Sequence, residues 1–361
     1  MHMRSLSKVV LIMPVKVRLG LAAVAGLALA TFAGDRPFHT PAFAQTPAAT
    51  LGSQLVTASA SSDVVSPAGI TSVLCGVAPI TSSSARRQVE RALEVDCSRF
   101  DDYYPTSVWL PQSGGFDTES IRELRRHSDV RFGRPPFNSA IDSWIERHDG
   151  VPVHIDAPIG FAAVAVLVYS SGWQFPIPRS RSRLGIFHGR DRKTSVTFMS
   201  GIGASVERSA GCERTTVPLH NGGELRLAVI HRGDARAALV CLTRSYARGE
   251  SISARYFIPR MVQRGRTDLT DRLRRLGVTD VFATSKRPFR RLGGYLALDK
   301  LLQAVQLRID ETGVGVRATT IAYRTLTIPH PILSVRFDAP FVVQVLDARR
   351  VPAAIGVVND L

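Results

Sequence analysis

An α+β fold in one large domain is predicted by three features of this 361-residue chain. Strand-length alternation of apolar and polar residues runs from Leu301 to Ile309, and Ile332 to Val345 also reads as β, punctuated by Pro340. Asp268 to Phe282 reads as a short helix that Gly277 ends, with Leu273, Leu276, Val278 and Phe282 placed to make apolar contacts on both sides of the turn. No Gly/Ser-rich or Pro-rich linker divides the chain beyond its first residues, and no repeat at solenoid or propeller spacing is present. With 45% hydrophobic and 21% charged residues, the chain has what a sizeable core requires, and disorder is excluded as the default.

The first 44 residues obey a different logic. Arg4, Lys8, Lys16 and Arg18 precede the apolar run Leu19 to Ala33, and Ala42-Phe43-Ala44 gives a small-x-small pattern before Gln45. These are the marks of a signal peptide, so residues 1–44 are expected to be a cleaved leader and 45–361 the folded domain; the alternative is an uncleaved leader that tethers the protein to a membrane. Export makes disulfides possible, and Cys75, Cys97, Cys212 and Cys241 suit two bridges, most simply within each sequence-local pair, with free buried thiols as the alternative.

The formal net charge is +16; loss of the leader leaves 41 basic and 29 acidic residues, a net of +12. Arginine clusters at Arg86-Arg87, Arg122 to Arg126, Arg179 to Arg183, Arg190 to Lys193, Arg272 to Arg275 and Lys286 to Arg291 are scattered along the chain. Such a surface suits polyanions through unspecific electrostatics, but no aromatic interleaving or nucleic-acid motif accompanies it.

Catalytic chemistry needs a nucleophile, a metal or a cofactor loop, and none is legible. There is no G-x-S-x-G elbow, Ser5 to Lys8 is the lone S-x-x-K, and Gly313-Val314-Gly315 lacks the third glycine of a dinucleotide loop. Neither H-E-x-x-H nor C-x-x-C occurs, and the nearest histidines, His148 and His154, do not have ligand spacing. The chain is therefore expected to be no enzyme and to carry no cofactor or metal.

The segment Leu273-x-x-Leu276-Gly277-Val278-x-Asp280-x-Phe282 resembles a pattern of the serpin family, and further segments resemble that family's landmarks in the same order. They are Ser66-Pro67 opening an apolar helix, Ala85 to Leu93, the helix Ile141 to Glu146, Val164 to Phe175 with Trp173 as central strand, Val196 to Met199 and Tyr256 to Pro259. Leu298 to Asp310 with Glu311 and Gly313, Phe337 to Phe341, and Ile355 to Asn359 complete the series. The resemblance spans about residues 50 to 361 and implies helices around three β-sheets with an exposed reactive-centre loop, on a metastable monomer.

It also implies a mechanism, in which a serine or cysteine protease attacks the loop and the cleaved loop inserts as a new strand of the large sheet. Glu311 and Gly313 to Thr320 then form the hinge. Counting from Gly313, the side chains Val314, Val316, Ala318, Thr320 and Ala322 point inward and carry no charge, while Gly315, Arg317 and Thr319 face out. No proline interrupts the stretch before Pro329. The family's spacing puts the scissile bond near Thr327-Ile328, with Arg324 as the trypsin-like candidate; the insert would span roughly 46 Å at about 3.3 Å per residue.

Two departures from the family pattern bear on insertion. Val316 is larger than the usual alanine, and Arg324 has inward parity. In the region where the sheet opens, Ser66 remains, but Gly69, Ala165 and Leu302 stand where the family has polar side chains, so that cluster reads as largely emptied. The function expected is a secreted suicide-substrate protease inhibitor; the alternative is a binding protein whose loop is cleaved or recognised without trapping the protease. The stretch between Leu93 and Ser107 and the helices of Leu225 to Arg255 read as trimmed.

Overall fold

The computed structural model describes residues 47–56, 62–99, 104–153, 155, 159–209, 212–243, 251–292, 296–316 and 333–361. Its helices are α1 Pro47–Leu55, α2 Pro67–Val77, α3 Ser83–Leu93, α4 Thr118–His127, α5 Asn138–Arg147, α6 Ala235–Thr243 and α7 Thr270–Arg275. Its strands are β1 Asp63–Val65, β2 Thr106–Pro111, β3 Asp129–Gly133, β4 Ala162–Ala165, β5 Tyr169–Ser171, β6 Ser182–His188, β7 Lys193–Ser209, β8 Cys212–Pro218, β9 Glu224–Val229, β10 Ser251–Pro259, β11 Met261–Asp268, β12 Leu302–Asp310, β13 Gly313–Val316, β14 Leu333–Arg336, β15 Phe341–Leu346 and β16 Pro352–Val358.

Local chemistry explains where these elements begin and end. Ser66 caps α2 by accepting the Gly69 N–H, with Pro67 in the first turn where its missing N–H is harmless. α7 ends in a Schellman turn: the Gly277 N–H bonds Arg274 O, the Val278 N–H bonds Leu273 O, and Gly277 has φ +88°. Leu273 and Val278, which close that turn, are fully buried.

Nine strands form one sheet in the order β1-β16-β15-β9-β8-β7-β10-β14, with β6 also on β7; four form a second, β11-β12-β13-β5; three form a third, β3-β2-β4. One core joins α1, α2, α3 and α6 to the nine-stranded sheet, and a second fills the space between that sheet and the four-stranded one through Val206, Leu227, Leu307, Ile309 and Val314. Disulfides link Cys75 to Cys97 and Cys212 to Cys241, the sequence-local pairing.

The single strand expected over Val164 to Phe175 is divided. β4 pairs with β2 and β5 pairs with β13, while residues 166–168 pass from one sheet to the other. The Val166 N–H turns to Pro105 O, and the four-stranded and three-stranded sheets are thus joined through one continuous stretch of chain. No helix among the described residues is long and apolar enough to cross a membrane, and no group of three or more metal-binding side chains occurs among them.

Candidate functional site

The short strand β13 places the hinge. Val314 lies opposite Ile309 of β12 on one side and Ser171 of β5 on the other, both antiparallel. Its side chain is fully buried in the core shared with Leu307 and Ile309, an inward position. Gly313 makes the entry possible. Its φ is +145°, and a Cβ there would sit 2.1 Å from Ser171 O and 2.7 Å from Gly172 Cα, so the approach requires a residue without a side chain.

A polar frame holds this entry. The Trp173 indole N–H donates to Asp310 O at 2.8 Å, joining the end of the β5 segment to the end of β12. Asp310 accepts the Thr312 N–H at 2.8 Å and is paired with Arg308. Burial pushes the Asp310 carboxyl up, but the Thr312 bonds and Arg308 outweigh it and set it below the usual carboxylate range.

Glu311 is tied more firmly still. The Ser182 hydroxyl donates to it at 2.7 Å and the Arg260 guanidinium binds it through two nitrogens. Burial would raise the Glu311 carboxyl; the bonds from Arg260 and Ser182 prevail and bring it down to about 2.

Below this closed entry the two central strands part. A cavity of about 300 Å³ lies between the stretch Phe161 to Leu167 and the stretch Leu298 to Gln306, with Gly69, Ile70 and Val73 of α2 and Ile141 and Ile145 of α5 contributing walls. Ala162 to Ala165 of β4, at the edge of the three-stranded sheet, and Leu302 to Ala304 of β12 are only half-buried. The gap lies in line with β13, and an added strand would there find unpaired neighbours on both sides.

A polar contact stands beside Gly69, Ala165 and Leu302 in the opening region. Gln303 accepts the Ser66 N–H at 2.8 Å through Oε1 and donates to Ser66 O at 3.0 Å through Nε2, clamping β12 to the start of α2. A Cβ on Gly69 would lie 3.3 Å from Ser66 Oγ and 3.5 Å from Gln303 Nε2. Gln303 thus lies in van der Waals reach of a side chain at position 69. Leu302 has the opposite parity and lines the gap with Ala165.

Gln303 stands out in the inward series Leu301, Gln303, Val305, Leu307, Ile309 as its one polar member, a signal available in the sequence. Ser182 and Arg260 gave no such signal, because only folding brings them to Glu311. Of the expected hinge, Glu311 and Gly313 to Val316 are described; Arg317, Ala318, Thr319, Thr320 and the scissile candidates Arg324, Thr327 and Ile328 lie outside the described residues.

Comparison with known proteins follows the same outline. The family model for serpins, serine protease inhibitors, matches residues 126–361. Plasminogen activator inhibitor 1 from Bos taurus is 23% identical over 378 aligned positions, which cover 88% of this chain and 92% of that protein. Among solved structures, the thermophilic serpin tengpin in its native state superposes with a TM-score of 0.73 at 15% identity, covering 88% of this chain and 94% of that one. The mouse protein Z-dependent protease inhibitor gives 0.71 at 16% identity, with 88% and 96% covered. Thyroxine-binding globulin in complex with thyroxine gives 0.69 at 13%, with 88% and 98% covered.

Proposed function

The chain belongs to the serpin family, and from that premise we propose that it inhibits serine or cysteine proteases as a suicide substrate, outside the cell. The observation that carries this reading is the hinge: Gly313 to Val316 already forms a strand between β12 and β5, above a gap of about 300 Å³ that continues its path. A protease whose serine or cysteine attacks the Thr327 carbonyl becomes acylated by Thr327 and releases Ile328 as a free amine, which cuts the tether on the far side of the hinge. The freed stretch from Arg317 onward then continues β13 downward, gaining backbone hydrogen bonds on two edges and drawing the acyl-linked enzyme with it.

Each part of the site has a task in this scheme. Gly313 admits the chain, Val314 seats it, and Trp173 holds the two flanking strands together at the entry. Glu311, fixed by Arg260 and Ser182, anchors the fixed end against which insertion proceeds. The two disulfides and the leader-like first 44 residues support action after export.

A second reading, a binding protein whose loop is cleaved without trapping the enzyme, is favoured by the Gln303–Ser66 clamp, which opposes separation of β12 from α2. Incubation with an elastase, a trypsin and a subtilisin separates the two. An SDS-stable complex of chain and protease is expected; clean cleavage by every enzyme with no complex would establish the second reading.

A further inference from the structure

β6 runs beside the hinge and is joined to it, since its first residue, Ser182, is the hydroxyl partner of Glu311. Among the described residues its one strand partner is β7. Along β6 alternate residues divide between two faces: Phe187 packs in the core against Phe341, whereas Leu184 and Ile186, opposite Thr197 and Ser195, emerge on the other face. Leu184 is 79% and Ile186 46% exposed.

Val262, 49% exposed, is the second residue of β11, two after Arg260, and the Arg260 N–H bonds to Thr197 O, the residue facing Leu184. Three of the five large apolar side chains exposed among the described residues therefore follow Ser182 or Arg260, the two partners of Glu311, by two or four positions. Single exposed apolar residues are ordinary, but a cluster of them on β-structure indicates something that covers it.

Most of the charge around this cluster is positive. Arg179, Arg181, Arg183, Arg190, Arg192 and Lys193 are all exposed, and Asp191 is the one acidic residue between positions 179 and 193. Among the described residues no carboxylate side chain forms an ion pair with any of the six; Arg192 reaches the Leu361 carbonyl oxygen instead. Three carboxylates border the stretch: Glu311 and Asp338 are paired with Arg260 and Arg336, and Asp360 Oδ1 accepts the Asp191 and Arg192 N–H groups.

We infer that Leu184, Ile186 and the arginines around them form a second docking surface for the protease held on the loop, and that it selects proteases with an acidic, partly apolar rim beside the substrate cleft. This rests on the proposed inhibitory function. Its position supports it, because β6 is bonded through Ser182 to Glu311, the residue that starts the hinge. Charge complementarity supports it too, since Arg179, Arg181, Arg183, Arg190 and Lys193 pair with no carboxylate side chain among the described residues. A second copy of the chain would set the same cations against one another. A polyanion would neutralise the arginines and leave the apolar cluster uncovered.

The test uses anionic and cationic trypsin as probes, each with its catalytic serine replaced by alanine so that neither cleaves the loop. Arg324 gives both the same recognition residue, so a difference between them reads the surface alone. The anionic enzyme is expected to bind roughly tenfold more tightly, and Leu184→Ser with Ile186→Ser, or Arg183→Glu, to remove that advantage by a similar factor. Equal affinities, no binding by either enzyme, or sensitivity to Arg183→Glu without sensitivity to the apolar pair would overturn the inference. The same variants are cleaved in the loop by subtilisin and melted: a normal rise in melting temperature shows that the insertion mechanism is intact, so that failure of the docking surface is separable from failure of the proposed function.

Discussion

The upper and lower halves of the same pair of strands differ in how they are closed. Above, β12 and β5 are separated by a strand of the chain itself, and Leu307, Ile309 and Val314 are completely buried there. Below, the continuation of β5 into β4 and the start of β12 leave a gap of about 300 Å³, bordered by half-buried residues and bridged to the underlying helix by Gln303. The chain has completed the sheet where it holds its own strand and left a gap below it. On the proposed mechanism, stability not realised in the lower half would drive insertion.

The comparison makes unequal predictions for the two halves. Val314→Asp is expected to have the largest effect, because it would bury an unpaired charge in the upper core; a loss of roughly 3 kcal/mol or more in guanidinium unfolding is expected. Loss of the Cys75–Cys97 bridge by paired serine substitution, whose cysteines are 22 residues apart, should lower stability by about 3 kcal/mol through the unfolded chain and loosen α2 beneath the lower half. Gly313→Ala forces a Cβ onto Ser171 O and is expected to cost about 2 kcal/mol. It should also expose the hinge to proteolysis, which mass spectrometry of limited digests would detect.

Gln303→Ala acts on the other half. Removal of both bonds to Ser66 is expected to cost about 1–2 kcal/mol, yet to speed the uptake of a synthetic peptide with the sequence from Ala318 to Ile328, because one tie across the lower half is gone. Unchanged uptake would mean that the clamp does not govern opening. The smallest effect is expected with pH. Since the Glu311 carboxyl is held at about 2 in the folded chain against an ordinary value of 4.5, its contribution is complete above pH 4.5 and is lost as pH falls towards 2. Arg260 is half-exposed, which limits this contribution to about 1 kcal/mol. Melting curves of wild type and Glu311→Gln should accordingly converge at low pH.

The sequence made legible what is decided within a few residues. The α7 turn at Gly277, the Ser66-Pro67 start of α2 and the alternation of β12 each depend on neighbours in the chain, and each is found where the pattern puts it. The local cysteine pairs belong to the same class. What was illegible depends on distant partners: Ser66 and Gln303 are 237 residues apart, and Ser182 and Glu311 are 129 apart. The break after Ala165 was hidden for a similar reason, because Val164 to Phe175 reads as one strand until the Val166 N–H finds Pro105 O. Polar residues at inward parity, as Gln303 shows, are where a local pattern points to a distant partner.

The central claim, that the cleaved loop becomes the missing strand of the lower half, is tested most directly by melting the protein before and after one cut in the loop. The account predicts a rise in melting temperature of more than about 10 °C after cleavage, as the gap fills and the sheet is completed. An unchanged or lower melting temperature would contradict it.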